Sequence, residues 1–314
     1  MDLDTPTSEP SLCTRHCNDA NQQAGQLINW HQEYDQLSEG HFSGMIQERR
    51  FRHLHVFRED SNRSLRQQCS IEEGIWLGLS VEANAITVNQ RPMNASDILV
   101  RDSNSEFELV TPRDYAIYGI VADQSVLDRV LHETDYQGSG LNPALLGITD
   151  ESSANLLRRY LSILLNPERH VWSAQTHQRL LCDFISELLS HSSAPTPRVA
   201  ASQQQRIIQS AIDYVTQAPS HRPITVSDLC QATHVSRRTL QYAFEHYCQV
   251  SPKQYIKRVR LNQVRRALQA PLEDGSISDI AFRFGFYHMG EFGRSYRQLF
   301  GESPSHTRMN NTRD

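Results

Sequence analysis

Long apolar runs are missing from this 314-residue chain. No run approaches the roughly 20 residues that a membrane-spanning helix needs, so no membrane partner is expected. The acidic, polar start MDLDTPTSEP lacks the basic beginning and apolar middle of an export signal, which predicts a cytoplasmic location. Cysteine is sparse: Cys13, Cys17, Cys69, Cys182, Cys230 and Cys248 show no disulfide-framework spacing and read as free thiols of a reducing compartment. Catalytic signatures are absent too. There is no glycine-rich phosphate loop, G-x-S-x-G elbow or H-E-x-x-H helix. CTRHC, with Cys13, His16 and Cys17, brings together three possible zinc ligands but lacks a fourth. No enzyme activity, cofactor or metal site is expected from these residues.

Lysine is almost missing as well, and its position is informative. Lys253 and Lys257 are the only two in the chain, and both lie in the C-terminal third. From Gln203 to Asp314 there are 15 Lys plus Arg against 9 Asp plus Glu, a balance of +6; the remainder holds 16 against 27, or −11. A basic C-terminal part on an acidic N-terminal part predicts that only the former meets a polyanion.

The length suggests two domains. HSSAPTPRVAAS (His191 to Ser202) is rich in Ser, Ala and Pro and reads as the linker, over 193–202. Upstream, short alternating runs such as FRHLHVF, GIWLGLSV, EFELV and YAIYGIVA predict an antiparallel sheet or barrel over about 45–122. Helical spacing follows over about 123–192, including a stripe of Leu180, Leu181, Phe184, Ile185, Leu188 and Leu189. Its apolar excess predicts a two-fold dimer contact through Leu181, Phe184 and Leu188. Residues 1–20 are expected to be a disordered tail, and Gln22 to Leu37 a helix opening a sensing and dimerisation domain over 21–192.

Beyond the linker, 203–314 contains a repeat. SRRTLQYAFEHYCQVSP (Ser236 to Pro252) aligns with HMGEFGRSYRQLFGESP (His288 to Pro304) at an offset of 52, and DLCQATHV aligns with DIAFRFGF at 51. The second copy therefore has one extra residue in its turn. Each copy is a short helix, a tight turn and a second helix, the helix-turn-helix arrangement in which the second helix enters the DNA major groove. Leu229, Leu240, Phe244 and Tyr247 form the core of one copy; Ile280, Ala281, Phe292, Tyr296 and Leu299 form that of the other. The opposite faces carry Ser236, Arg237, Arg238, Gln241 and Tyr242 in the first copy, and His288, Met289, Glu291, Arg294 and Arg297 in the second. These are types that bond bases or phosphates. SPKQYIKRVRLNQVRRALQ, between the copies, predicts a long spacing helix with Lys253, Lys257, Arg258, Arg260, Arg265 and Arg266 as candidate phosphate contacts.

With its I-A, G-F and G-x-S-P landmarks, DIAFRFGFYHMGEFGRSYRQLFGESPS resembles the DNA-binding domain of AraC/XylS-type transcription regulators. The resemblance implies base contacts from Arg238, Gln241 and Tyr242, phosphate contacts from Ser236 and Arg237, and a second groove occupied by Glu291, Arg294 and their neighbours. It departs at Gln249, where the second copy has Gly301 at a left-handed helix end, and at Gly290 and Gly293 inside the second reading helix. The N-terminal half resembles the ethanolamine-utilisation operon regulators in WHQEYDQLSEGHFSG, HVFRE, LRQQC and EFELVTPRDYAIYGIV. The implied whole is α+β: a cupin-like antiparallel β domain with helices, then an all-α domain of two helix-turn-helix motifs joined by a long helix. The implied function is an activating, sequence-specific regulator of a catabolic operon or of quorum-sensing or virulence genes. Its partners would be double-stranded DNA, RNA polymerase, a second copy of itself and a small-molecule effector.

Within the β domain His53 and His55 alternate onto one face, and Trp76, Tyr115 and Tyr118 could line an apolar pocket; His53, His55, Trp76 and Tyr118 are the candidate effector contacts. The alternative is a metal-dependent cupin-like enzyme fused to a DNA-binding module. It would need a further histidine, and none lies between Asp60 and Leu131.

Overall fold

The computed structural model describes residues 11–311 apart from 83–85, 95–96, 104–105, 134–150, 168–171, 192–201, 220–221 and 271–274. The predicted linker 193–202 lies almost entirely outside the described residues.

Alternation along the strands sets the architecture of the N-terminal half. One antiparallel sheet has the order β1 (Cys13–Cys17), β3 (Gly44–Arg50), β4 (Leu54–Ser61), β11 (Tyr115–Ala122), β6 (Ile75–Ser80), β9 (Leu99–Asp102). The second runs β2 (Trp30–Gln36), β5 (Leu65–Ile71), β10 (Phe107–Thr111), β7 (Ile86–Val88), β8 (Arg91–Met93). On β11, Tyr115 and Ile117 enter the core between the sheets, whereas Tyr118, Ile120 and Ala122 enter a second core behind the first sheet. This follows from the period of two. Close approach inside the sandwich requires glycine: a Cβ at Gly119 would lie 2.2 Å from the Phe57 ring, and one at Gly78 would lie 2.4 Å from Trp76.

The core behind the first sheet is closed by α2 (Gln124–Glu133), α3 (Glu151–Leu164) and α4 (Ala174–His191). The apolar stripe of α4 is spent here. Leu181, Ile185 and Leu188 are buried against Leu54, Val56, Leu77 and Ile120, with Phe184 partly buried beside them. This corrects the dimer contact expected at Leu181 and Leu188, because the apolar back of the sheet needs a cover and these side chains supply it.

Two further corrections concern the start of the chain. Cys13–Cys17 is not a disordered tail but an edge strand paired with β3, with Cys17 in the intersheet core. The expected helix from Gln22 to Leu37 is instead a five-residue helix, α1 (Ala20–Ala24), followed by β2. Trp30 and Tyr34 fit helical spacing as well as strand alternation, and only the partner strand β5 decides between them.

The C-terminal domain packs on the outer face of the second sheet. It comprises α5 (Gln203–Gln217), α6 (Val226–Thr233), α7 (Arg237–Cys248), α8 (Pro252–Gln269), α9 (Ile277–Arg283), α10 (Met289–Phe300) and α11 (Pro304–Asn311). Leu37 and Val110 of the β domain share one core with α5, α7 and α8. Asn262 of α8 behaves like an added strand residue, accepting from the Gln36 backbone N–H at 2.9 Å and donating to the Gln36 carbonyl at 3.1 Å. Beneath α7 and α8, buried Arg66 bonds Glu108 at 2.5 Å and Asp35 at 3.3 Å, Tyr247 donates to Glu108, and Arg266 reaches Asp35 at 2.8 Å.

Candidate nucleic-acid interface

Each reading helix is positioned by local signals. In the first unit Thr225 and Asp228 form a capping box on α6, and Ser236 accepts from the Thr239 N–H at 3.2 Å to begin α7. In the second, Ser276 and Asp279 form the same box on α9. The turns pass through left-handed residues, His234 (φ 52°) and Gly285 (φ 84°), which align at the offset of 51. α7 and α10 then start and end 52 residues apart, so the extra residue lies in the second turn. Both end in left-handed conformation, at Gln249 (φ 57°) and Gly301 (φ 75°). Gln249 thus occupies a position that glycine would fill with less strain.

The faces away from the two cores are open. Ser236, Arg237, Arg238 and Tyr242 on the first unit, and His288, Glu291, Arg294 and Arg297 on the second, are exposed; Gln241 and Met289 are half-buried. Tyr242 is 66% exposed and stacks on His246 at 6.3 Å, and Gln241 donates to Glu245 at 2.5 Å. A side chain at Gly290 or Gly293 would meet nothing within 4 Å. Internal packing therefore does not require either glycine, although each costs a helix about 1 kcal/mol relative to alanine. Gly290→Ala and Gly293→Ala should each stabilise the free protein by about 0.5–1 kcal/mol and weaken DNA binding by crowding the groove. Thermal melts and DNA titrations on the same variants test this. Unchanged affinity would show that the glycines only soften the helix.

The spacing helix divides its cations. Arg258 faces Glu39 at 3.5 Å, Arg266 faces Glu33 at 3.0 Å and Asp35 at 2.8 Å, and Arg265 grips Asp19 and Glu302 and lies 4.6 Å from the Phe300 ring. These three of the six expected phosphate contacts serve the junction with the β domain instead. The acidic excess of the N-terminal part is thus partly a docking surface for the basic one. Lys253, Lys257 and Arg260 remain on the side facing the reading helices.

The candidate effector residues do not share one wall. His55 accompanies Phe57 on the intersheet side, 5.4 Å away, and bonds Glu48 at 2.7 Å. Burial alone would raise the Glu48 carboxyl, but hydrogen bonds from His55, Arg15 and Arg50 outweigh it and hold it at about 2. Trp76 lies deeper in that core, stacked on Phe107 at 5.0 Å and edge-on to Trp30 at 5.5 Å. Tyr118 faces the opposite core, and His53 precedes β4 and bonds Asp123 at 2.6 Å ahead of α2. Trp30, masked in the sequence by its helix-like spacing, was not among the candidates. No group of three His, Cys, Asp or Glu that could hold a metal occurs among the described residues, and none of their helices is long and apolar enough to cross a membrane.

Residues 229–310 match the family model of a helix-turn-helix domain. Through this C-terminal region, a helix-turn-helix domain, the chain is similar to AraC/XylS-type regulators. It is 35% identical over 100 residues to a probable thc operon regulatory protein of Rhodococcus erythropolis, covering 32% of this chain and 30% of that one. It is 25% identical over 218 residues to a XylDLEGF operon transcriptional activator of Pseudomonas putida, covering 67% and 66%. A solved probable AraC family transcriptional regulator from Rhodopseudomonas palustris is 31% identical, over 33% of this chain and 96% of that one, with a TM-score of 0.32. The chain thus spans from under a third to about two thirds of the length of these two curated relatives. Their names are those of transcription regulators, not enzymes.

Proposed function

We propose that the whole chain is a sequence-specific DNA-binding transcription regulator whose two helix-turn-helix units read one operator together. The observation that carries this is the pair of reading helices, α7 and α10, whose polar faces stay exposed while the domain packs on the β sandwich. Arg238, Gln241 and Tyr242 are assigned to bases, Ser236 and Arg237 to phosphate, and His288, Met289, Glu291, Arg294 and Arg297 to the second groove.

The two-sheet unit is read as a cupin-like effector domain acting in the cytoplasm. The indole N–H groups of Trp30 and Trp76 support this, being buried without a hydrogen-bond partner among the described residues; a ligand acceptor between the sheets would satisfy them. A homodimer belongs to the same reading, now through the outer side of α3 and α4, where Leu156 and Leu180 are exposed at 69% and 40%. Contact with RNA polymerase and activation of a catabolic operon of the ethanolamine-utilisation kind, or of quorum-sensing or virulence genes, follow from the sequence resemblance.

Arg238→Ala is expected to lose roughly 1–3 kcal/mol on the preferred site and to relax discrimination at one base pair. Arg237→Ala should weaken all sequences alike. Titrations on preferred and scrambled duplexes separate the two, and an equal loss on both for Arg238→Ala would remove it from base reading.

A further inference from the structure

Between the two helix-turn-helix units lies a cleft of about 700 Å³. α6 and α7 form one wall, the turn before α10 and α10 itself form the other, and the first half of α8 is the floor. Arg222, Arg237, Lys253, Lys257 and Arg260 line it, against one carboxylate, Glu291. Lys257 lies 3.7 Å from Glu291, and Lys253 has no carboxylate within salt-bridge distance among the described residues.

Arg260 is the more telling member. It is 5% exposed, and its guanidinium bonds only neutral acceptors, Gln263 at 3.1 Å and the Pro219 carbonyl at 3.4 Å. A buried cation without an anion is costly, and burial here lowers its pKa. Buried Arg66 and Arg265, by contrast, each sit between two carboxylates. Arg260 therefore has an anion's place beside it and no protein carboxylate bonded to it among the described residues.

The choice of cation narrows the ligand. Twenty-nine of the 31 basic residues are arginine, and both lysines are in this cleft. Arginine's planar fork fixes an oxyanion in one geometry, whereas lysine is a rotatable point charge that follows a phosphate through a range of positions.

We propose that the cleft is a phosphate seat that receives the sugar–phosphate backbone of the duplex where it crosses between the two major grooves entered by α7 and α10. Arg260 forms its base, and Lys253, Lys257 and Arg222 its rim. Glu291 holds Lys257 until phosphate replaces it. The seat rests on the two-unit reading of DNA and adds to it a contact that is blind to sequence.

The test uses the full-length protein, a duplex that it selects from a random library, and a scrambled duplex, each titrated over a range of salt. Lys253→Gln with Lys257→Gln, both at accessible positions, should lower affinity for the two duplexes by the same factor, roughly 30-fold at physiological salt, and reduce the slope of log K against log salt by about 2. Arg260→Gln should do likewise in a variant whose thermal unfolding is unchanged. Unaltered slope and affinity in the lysine variant would overturn the proposal. Inorganic pyrophosphate, titrated into the DNA-free protein, separates the two sources of phosphate. Saturable binding lost in Arg260→Gln, with the DNA slope intact, would assign the cleft to a small phosphorylated ligand and overturn the backbone seat. Failure of the underlying reading looks different: the unmodified protein would then enrich no sequence from the library.

Discussion

Inserting about five base pairs between the two sub-sites of a selected operator is expected to cut affinity at least about 100-fold, toward that of a single unit. Successive major grooves on one side of the duplex recur about every 10–10.5 base pairs, so half a turn sends the second sub-site to the far side. A ten-pair insertion restores the side but lengthens the reach, and should fail as well. The protein cannot follow, because more than α8 fixes the separation. The backbone N–H of Gly40 donates to the carbonyls of Gln298 and Leu299 at 3.2 and 3.0 Å, and Gln36 donates to Leu299 at 2.6 Å, so the β domain holds the C-terminal end of α10. The end of α7 is held in turn by Tyr247 on Glu108. Mobility shifts with spacing as the only variable provide the measurement. Equal affinity at every spacing would mean that one unit reads DNA and the other does not.

Arg66→Met should destabilise the protein by roughly 3–5 kcal/mol. The substitution leaves Glu108 buried beneath α7 without its cation and removes one of the two arginines on Asp35. Removing one partner of a buried ion pair strands the other charge, which is why the loss exceeds the worth of the pair. Adding Glu108→Gln should recover a large part of it, since an amide still accepts the Tyr247 proton and brings no charge. Denaturant unfolding of both variants checks the pair, and a loss below about 1 kcal/mol for Arg66→Met would show that water reaches the cluster. The same variants report on domain docking, because Tyr247 and Arg266 reach the cluster from the C-terminal domain.

The C-terminal domain was legible because its information is local. Caps, the 51- and 52-residue offsets, the periodic core positions Leu240, Phe244, Phe292 and Tyr296, and the left-handed ends at Gln249 and Gly301 all act within a turn or two of chain. The β domain was legible only in outline. Strand runs were visible, but Trp30 and Tyr34 satisfy two periods at once, and residues 13–17 form a strand only because β3 offers them an edge.

By itself, then, the sequence determined the two helix-turn-helix units, their order and the residues on their open faces, since these follow from nearest-neighbour hydrogen bonding and helical periodicity. Tertiary structure alone decided what each apolar stripe and each charge is for. Leu181 and Leu188 could have covered a second protomer or a sheet, and the sheet behind α4 takes them. Arg258, Arg265 and Arg266 could have met phosphate as readily as Lys253, Lys257 and Arg260. Six cations on one helix are equivalent until a surface approaches one side of it, and here the carboxylates of Asp19, Glu33, Asp35 and Glu39 take three and leave the other three to the cleft.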